Sequence, residues 1–111
     1  MNLQNLVPIP ELYVSHESAQ KLKLDAAGLA SWDLTPRQIC DLELLMNGGF
    51  TPLKGFLSES DYLSVLADMR LADGKLWPMP ITLDVSETFV QSLTRGQDIA
   101  LRDPEGVILA T

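Results

Sequence analysis

The four residues Thr35-Pro36-Arg37-Gln38 constrain the fold most, because they specify where a helix begins. In such a capping box the threonine oxygen accepts a hydrogen bond from the Gln38 amide while the Gln38 side chain reaches back, and proline is favoured at the first helical position. Gly48 then stands where a left-handed residue ends a helix. The sequence therefore predicts a helix of about three turns, whose apolar face consists of Ile39, Leu42, Leu45 and Met46.

A loop rich in proline and glycine, Phe50 to Phe56, follows this helix. Its two aromatic side chains need an apolar surface, so we expect an ordered loop packed on the core. Ser58 is expected to cap a second helix that ends near Arg70, where a cation meets the negative end of the helix dipole. The predicted buried face of this helix consists of Tyr62, Leu63, Val65, Leu66 and Met69.

Alternation of apolar and polar residues predicts the strands. Asp73-Gly74 turns the chain into an extended Trp77-Pro78-Met79-Pro80 segment, and Ile81 to Val85 then has the pattern of a half-buried strand. Asp98 to Arg102 and Val107 to Ala110 are predicted to form a hairpin around Asp103-Pro104-Glu105-Gly106. The second hairpin strand reaches Thr111 with no closing element, which favours a domain cut at this end.

The flanking residues carry weaker signals. Leu6 to Pro10 is expected to be extended and to lead into a short strand over Leu12 to Val14. Either Ser15 or Ser18 can cap a helix that Gly28 ends, and Ser86 can cap a short helix followed by a turn at Gly96. Ser31 to Leu34 is expected to be a brief extended piece.

Residues 41–85 resemble the N-terminal domain of the ATP sulfurylase (sulfate adenylyltransferase) family. The resemblance rests on the order of short motifs in DLELLMNGGFTPLKGF and DMRLADGKLWPMPITLDV: Asp-Leu-Glu, Gly-Gly-Phe, Pro-Leu-x-Gly-Phe, Met-Arg-Leu and Leu-Trp-x-x-Pro-Ile-Thr-Leu-Asp-Val. The rest of the chain resembles the same domain more loosely. The resemblance implies an α+β, PUA-like fold, a small curved and partly closed β-sheet (a pseudo-barrel) with packed helices. Residues 1–111 would then be a single domain, truncated at its C-terminal end, with the catalytic domain absent.

The resemblance also implies a role. ATP sulfurylases join sulfate to the α-phosphate of ATP, giving adenosine 5′-phosphosulfate and pyrophosphate, and ATP and sulfate, with magnesium, are substrates of the full-length enzyme. In the family the catalytic domain carries a Gln-x-Arg-Asn segment and a His-x-x-His motif, and neither occurs in this sequence. We therefore expect no catalytic, cofactor-binding or metal-binding residue in this chain. Expected partners are the catalytic domain, in cis or as a separate chain, further copies in a homo-oligomer, and in some members a fused adenylylsulfate kinase.

Composition narrows the alternatives. A chain of 111 residues with 46% hydrophobic and 21% charged residues is typical of one globular domain. We expect a cytoplasmic protein with no membrane partner, because the sequence has no apolar run of spanning length and no signal-peptide pattern. The net charge of −7 argues against nucleic acid as a partner.

Few residues in the sequence are candidates for catalysis or ligand binding. His16 is the only histidine, and we expect it to be a polar surface residue beside a helix cap. Cys40, the only cysteine, is predicted to be a buried small hydrophobe. Gly48 to Gly55 has glycines and Lys54, but the order Lys-Gly-Phe, a preceding helix and Pro52 argue against a phosphate-binding loop. The aromatic residues are expected to lie in the core or at an interface rather than to stack on bases: Trp32, Phe50, Phe56, Trp77 and Phe89.

Three functions remain open on the sequence. The favoured one is the non-catalytic N-terminal domain of a sulfate adenylyltransferase, which supports the catalytic domain. The second is a free-standing PUA-like interaction module without catalysis. The third, disfavoured by the acidic charge, is an RNA-binding PUA-like domain.

Overall fold

The computed structural model describes residues 11–111. Within them it contains four helices and three short strands in the order α1 (His16–Ala26), β1 (Ser31–Asp33), α2 (Pro36–Met46), α3 (Glu59–Asp68), α4 (Glu87–Gln91), β2 (Ala100–Arg102) and β3 (Ile108–Ala110). The α+β class predicted from the sequence is confirmed. The extended segment expected over Leu6 to Pro10 lies outside the described residues.

The described chain divides into two compact units. The first, here the helical unit, comprises residues 11–13 and 41–82. The second, here the sheet unit, comprises residues 14–40 and 83–111. The boundary falls inside α2, so that Pro36 to Cys40 belong to the sheet unit and Asp41 to Met46 to the helical unit.

The sheet unit contains all three strands that the described residues form. β1 pairs in parallel with β2, and β2 pairs antiparallel with β3, so the sheet has the order β1-β2-β3 and is open rather than closed into a barrel. The predicted hairpin is confirmed: Gly106 has φ of +90°, and the Asp103 carboxylate accepts from the amides of Glu105 and Val107 at 2.9 Å each. Glycine is required there because this φ is unfavourable for a residue with a Cβ atom.

Hydroxyl caps fix where the helices begin. At α2 the Gln38 amide donates to Thr35 Oγ1 at 3.2 Å, and the Thr35 amide donates to Gln38 Oε1 at 3.0 Å, which confirms the capping box. Ser15, rather than Ser18, caps α1, and Ser58 and Ser86 cap α3 and α4 as predicted. Each cap satisfies an amide that the first helical turn would otherwise leave without a partner.

The helical unit has its own apolar core. Phe50, Phe56 and Leu57 are half-buried against it, and the Phe50 ring meets Trp77 edge-on with the ring centroids 5.8 Å apart. The predicted packing of the Phe50 to Phe56 loop on the core is therefore confirmed, and Trp77 is the aromatic partner that it meets there. The Thr51–Pro52 peptide bond in this loop is cis. The buried residues of the core are Leu45, Leu53, Val65, Leu71, Trp77 and Ile81.

Two predicted strands are absent from the described residues. At 12–14 the Leu12 amide donates to the Met46 carbonyl at 2.7 Å, but no strand forms and the side chains are exposed. At 81–85 the Ile81 carbonyl accepts from the Leu57 amide at 2.9 Å, so a loop uses a group that a strand partner would need. Ile81 is buried as the alternation predicts, but Thr82 and Leu83 are both half-buried, and no neighbouring strand supplies the ladder.

The buried face predicted for α3 is wrong. Val65 is the only buried residue of the helix, at 3% exposure, whereas Leu63 and Leu66 are 56% and 59% exposed. Arg70 lies beyond the helix, which ends at Asp68 with Met69 as its C-cap, and it pairs across a β-bridge with Leu76. The reason is geometric, since Leu63 lies about 160° around the helix from Val65 and one small core cannot contact both sides.

Candidate interaction site

The sequence assigns no catalytic or metal-binding residue, and none of the described acidic, histidine or cysteine residues cluster in a way that could hold a metal ion. His16 is exposed at the start of α1 as predicted, with its Nε2 atom 3.0 Å from Gln20 Nε2. Cys40 is exposed, which corrects the prediction that it is buried. It lies two residues from both Gln38 and Leu42, which are buried, and therefore points to the opposite side of α2.

Several amides of the glycine-containing loop after α2 donate to groups of the chain itself. The Gly49 amide donates to Asn47 Oδ1 at 2.8 Å, the Phe50 amide to the Leu44 carbonyl at 3.1 Å, and the Thr51 amide to the Gly48 carbonyl at 3.1 Å. Pro52 has no amide hydrogen to offer. A phosphate cradle needs several convergent free amides, so this geometry agrees with the rejection of a phosphate-binding loop.

Gln38 joins three elements of the sheet unit. Its Oε1 atom accepts from Trp32 Nε1 at 3.1 Å as well as from the Thr35 amide, and its Nε2 atom donates to the Asp84 carbonyl at 2.6 Å. At 1% exposure the side chain is one of the most deeply buried in the protein. Buried amides are stable when their donors and acceptors are satisfied, and the role of Gln38 is therefore structural.

A shallow groove in the sheet unit lies beside the ring pair of Trp32 and Phe89, whose centroids are 5.2 Å apart. Several of its polar groups bond within the chain. The Asp33 carboxylate accepts from Arg102 at 2.7 Å, Ser86 caps α4, and the Ser92 hydroxyl donates to the Phe89 carbonyl at 2.6 Å. With these groups already paired, the groove presents little polar chemistry to a ligand.

Exposed apolar side chains give the helical unit its most distinctive surface. Three of them lie on α3, and the others follow it: Met69 is its C-cap residue, with a carbonyl that accepts from the Trp77 amide at 2.9 Å, and Leu76 pairs with Arg70 across a β-bridge. We call this surface the α3 face. It consists of Tyr62, Leu63, Leu66, Met69, Leu76 and Met79.

The comparison that decides the family covers almost the whole chain. A family model described as a PUA-like domain matches residues 5–111. The chain belongs to this PUA-like domain family.

Relatives of this PUA-like domain are much longer proteins. The chain is 49% identical over 94 residues to the sulfate adenylyltransferase of Eremothecium gossypii, covering 85% of this chain and 19% of the relative. It is 56% identical over 79 residues to that of Saccharomyces cerevisiae, covering 71% of this chain and 16% of the relative. The PUA-like domain therefore spans less than a fifth of the length of either relative.

A solved structure agrees with the fold. The hexameric APS kinase from Thiobacillus denitrificans superimposes with a TM-score of 0.84 and 38% sequence identity, over 93% of this chain and 21% of that chain. The expected likeness to the sulfate adenylyltransferase family is thus shown in sequence, and the PUA-like fold is shown in structure. No helix in residues 11–111 is long and apolar enough to cross a membrane.

Sequence reasoning missed the α3 face of the PUA-like domain because it assumed that every apolar residue of α3 is buried. The spacing of the apolar residues in α3 does indicate that some of them are exposed. Tyr62, Val65 and Leu66 fit one side of a helix, but Leu63 widens the apolar arc beyond the roughly 100° that one core usually covers. A helix that is apolar over a wider arc has more than one surface to cover.

Proposed function

We propose that this chain is the N-terminal, non-catalytic domain of a sulfate adenylyltransferase, and that it supports the catalytic domain of the same enzyme. The observation that carries the proposal is the identity of about half of the aligned residues to two sulfate adenylyltransferases of which this chain is less than a fifth. The PUA-like fold is compatible with it.

The residues of the chain support a non-catalytic role. Transfer of the adenylyl group needs cations or donors aimed at the phosphate oxygens where charge develops. In the helical unit several amides after α2 bond within the chain, and in the sheet unit two of the arginines pair with carboxylates, Arg37 with Asp84 at 3.3 Å and Arg102 with Asp33 at 2.7 Å. The chain on this proposal binds no cofactor of its own, and ATP, sulfate and magnesium bind in the catalytic domain.

The remaining features of the enzyme follow from the same proposal. The domain continues beyond Thr111, its catalytic partner lies in cis, the enzyme is a homo-oligomer in the cytoplasm, and some forms carry an adenylylsulfate kinase. Relatives more than five times as long as the aligned segment and a structural neighbour described as hexameric support these expectations.

The cheapest test is to sequence the reading frame past Thr111. The proposal requires a Gln-x-Arg-Asn segment and a His-x-x-His motif in the following region, and a stop codon or an unrelated domain there would favour a free-standing interaction module. The second test is enzymatic: the protein of the full reading frame should form adenosine 5′-phosphosulfate from ATP and sulfate, and a purified, soluble preparation without that activity would contradict the proposal.

A further inference from the structure

Asn47 and Gly48, directly after α2, form the only Asn-Gly pair in the sequence. In such a pair the backbone nitrogen of the glycine can attack the side-chain carbon Cγ of the asparagine, because glycine has no Cβ atom that crowds the approach. The attack closes a cyclic succinimide and expels ammonia, and water then opens the ring to aspartate or isoaspartate. Whether a folded chain reacts in this way depends on the asparagine carboxamide and on the glycine amide.

The carboxamide of Asn47 is exposed to water and held by one hydrogen bond. The Gly49 amide donates to its Oδ1 atom at 2.8 Å. This oxygen is the atom on which negative charge develops when Cγ is attacked, and a donor already aimed at it stabilises that charge. Glycine at position 49 leaves room for the contact, since a Cβ atom there would lie 2.9 Å from Asn47 Oδ1.

The attacking amide of Gly48 donates no hydrogen bond within residues 11–111. Its neighbours differ: the Asn47 amide still donates to the Glu43 carbonyl at 3.0 Å, as in a helix. The Leu44 carbonyl, four residues before Gly48, would be the next helical acceptor, but it accepts from the Phe50 amide at 3.1 Å. The Gly48 nitrogen therefore gives up no hydrogen bond when it turns toward Cγ.

A second turn of the helical unit shows the opposite arrangement at its glycine. Asp73 Oδ1 accepts from the Lys75 amide at 3.0 Å, much as Asn47 Oδ1 accepts from Gly49, and Gly74 has φ of +91° where Gly48 has +85°. The Gly74 amide, however, donates to the Leu71 carbonyl at 2.8 Å. The two turns thus provide an internal comparison of a free and a bonded glycine nitrogen.

We infer that Asn47 is a site of spontaneous modification, at which the Gly48 nitrogen displaces ammonia and water leaves aspartate or isoaspartate at the end of α2. The N–Cγ bond forms, the Cγ–Nδ2 bond breaks, and the proton of the Gly48 amide leaves with the ammonia. Water then adds across one of the two C–N bonds of the ring, so the steps need no oxidant or reductant. The inference does not rest on the proposed function.

The modification changes the end of α2. It places a carboxylate at the negative end of the helix dipole, which is unfavourable. Isoaspartate also adds a carbon to the backbone just before Phe50, whose ring packs against Trp77. We therefore expect the modified protein to unfold at a lower temperature than the fresh protein.

The experiment follows isoaspartate at single positions during incubation of the protein of the full reading frame at neutral pH and physiological temperature. Asp73→Asn is the matched variant, because it places an Asn-Gly pair at the turn whose glycine amide is bonded and keeps an oxygen that can accept from Lys75. Asn47→Gln sets the baseline, since the longer side chain closes the ring poorly. Peptide mass spectrometry locates the products, and digestion in heavy-oxygen water marks any conversion that occurs during digestion.

Each rate is divided by the rate at the same position in guanidinium chloride, which removes the effect of neighbouring residues. We expect the normalised rate at position 47 to be at least about threefold higher than at position 73 of Asp73→Asn, because the amide at 74 must first give up a hydrogen bond. A smaller difference would overturn the inference. So would a native protein that stays unmodified at position 47 over the time in which the unfolded chain is half converted.

Discussion

Gln38 makes more buried hydrogen bonds than the capping box alone requires. Gln38→Ala would leave the Trp32 indole N–H, the Thr35 amide and the Asp84 carbonyl without this partner, in addition to opening a small cavity. Since each unsatisfied buried group costs about 1 to 3 kcal/mol and neighbouring losses are partly relieved by relaxation, we expect the free energy of unfolding to fall by about 2 to 4 kcal/mol. Urea unfolding measures this.

Gln20 is the matched control for Gln38. It is an exposed glutamine on α1, and its side-chain amide lies beside the ring of His16, which is exposed as well. Gln20→Ala should therefore change the free energy of unfolding by less than about 0.5 kcal/mol. A Gln38→Ala variant as stable as Gln20→Ala would show that the Gln38 network contributes nothing to the fold.

Phe56 tests the loop after α2. Because the ring is half-buried against the core of the helical unit, Phe56→Ala should cost about 1 to 3 kcal/mol, less than the roughly 3 to 5 kcal/mol of a fully buried phenylalanine. Exposed Lys54 in the same loop is the control, and Lys54→Ala should have almost no effect on the urea midpoint. Loss of stability in both variants by the same amount would mean that the loop does not pack through Phe56.

At the scale of elements, α3 ends in an unusual way. Its C-cap residue Met69 has φ of +52°, in the left-handed region where glycine normally ends a helix. The conformation is unfavourable for a residue with a Cβ atom, and Met69 is exposed, so Met69→Gly removes strain without opening a core cavity. We expect it to raise the free energy of unfolding by about 0.5 to 1 kcal/mol.

The control for that variant is a glycine inside the helix. Ala67→Gly, also at an exposed position, should lower the free energy of unfolding by about 0.5 to 1 kcal/mol, because glycine loses more backbone freedom in a helix than alanine does. Opposite signs in thermal or urea unfolding identify the left-handed cap as the cause. If both glycines destabilise, the apolar contacts of the Met69 side chain outweigh its backbone strain.

The elements also show why the sequence predicted some features and not others. Caps at Thr35, Ser58 and Ser86 and the turn at Gly106 are local, since the groups that bond lie within four residues of one another. The parallel pairing of β1 with β2 depends on residues about seventy positions apart, Ser31 with Ala100, and no local pattern encodes it. The strand pattern at 81–85 correctly predicts the burial of Ile81, but a strand also needs a partner.

The sequence pattern did not predict the candidate interaction site, because the pattern identifies apolar residues but not the groups that they contact. Apolar periodicity shows which residues avoid water without showing what covers them. In α3 the pattern of Tyr62, Leu63 and Leu66 is real, yet the chain's own core contacts only the side that carries Val65. The resemblance to sulfate adenylyltransferases, by contrast, depends on the order of specific motifs over residues 41–85, and that order is a property of the sequence alone.

At the scale of the whole molecule, the net charge of the chain argues against RNA binding and favours an interaction with protein. Fifteen Asp and Glu against eight Lys and Arg leave a net charge of −7. The cations that pair with carboxylates include Arg37, Lys75 and Arg102. RNA binding depends on cations that neutralise phosphates and release counterions, and an acidic surface without a basic stripe opposes it.

We therefore expect no RNA binding by this chain at physiological salt. Fluorescence anisotropy with a labelled single-stranded RNA and a labelled RNA hairpin should give no saturable change up to about 100 μM protein, the weak end of ordinary non-specific binding. A basic RNA-binding domain titrated under the same conditions verifies that the probes are competent. Saturable binding in the micromolar range would contradict the prediction, and repeating the titration at several salt concentrations would count the phosphates contacted, because the slope of log K against log salt is proportional to that number.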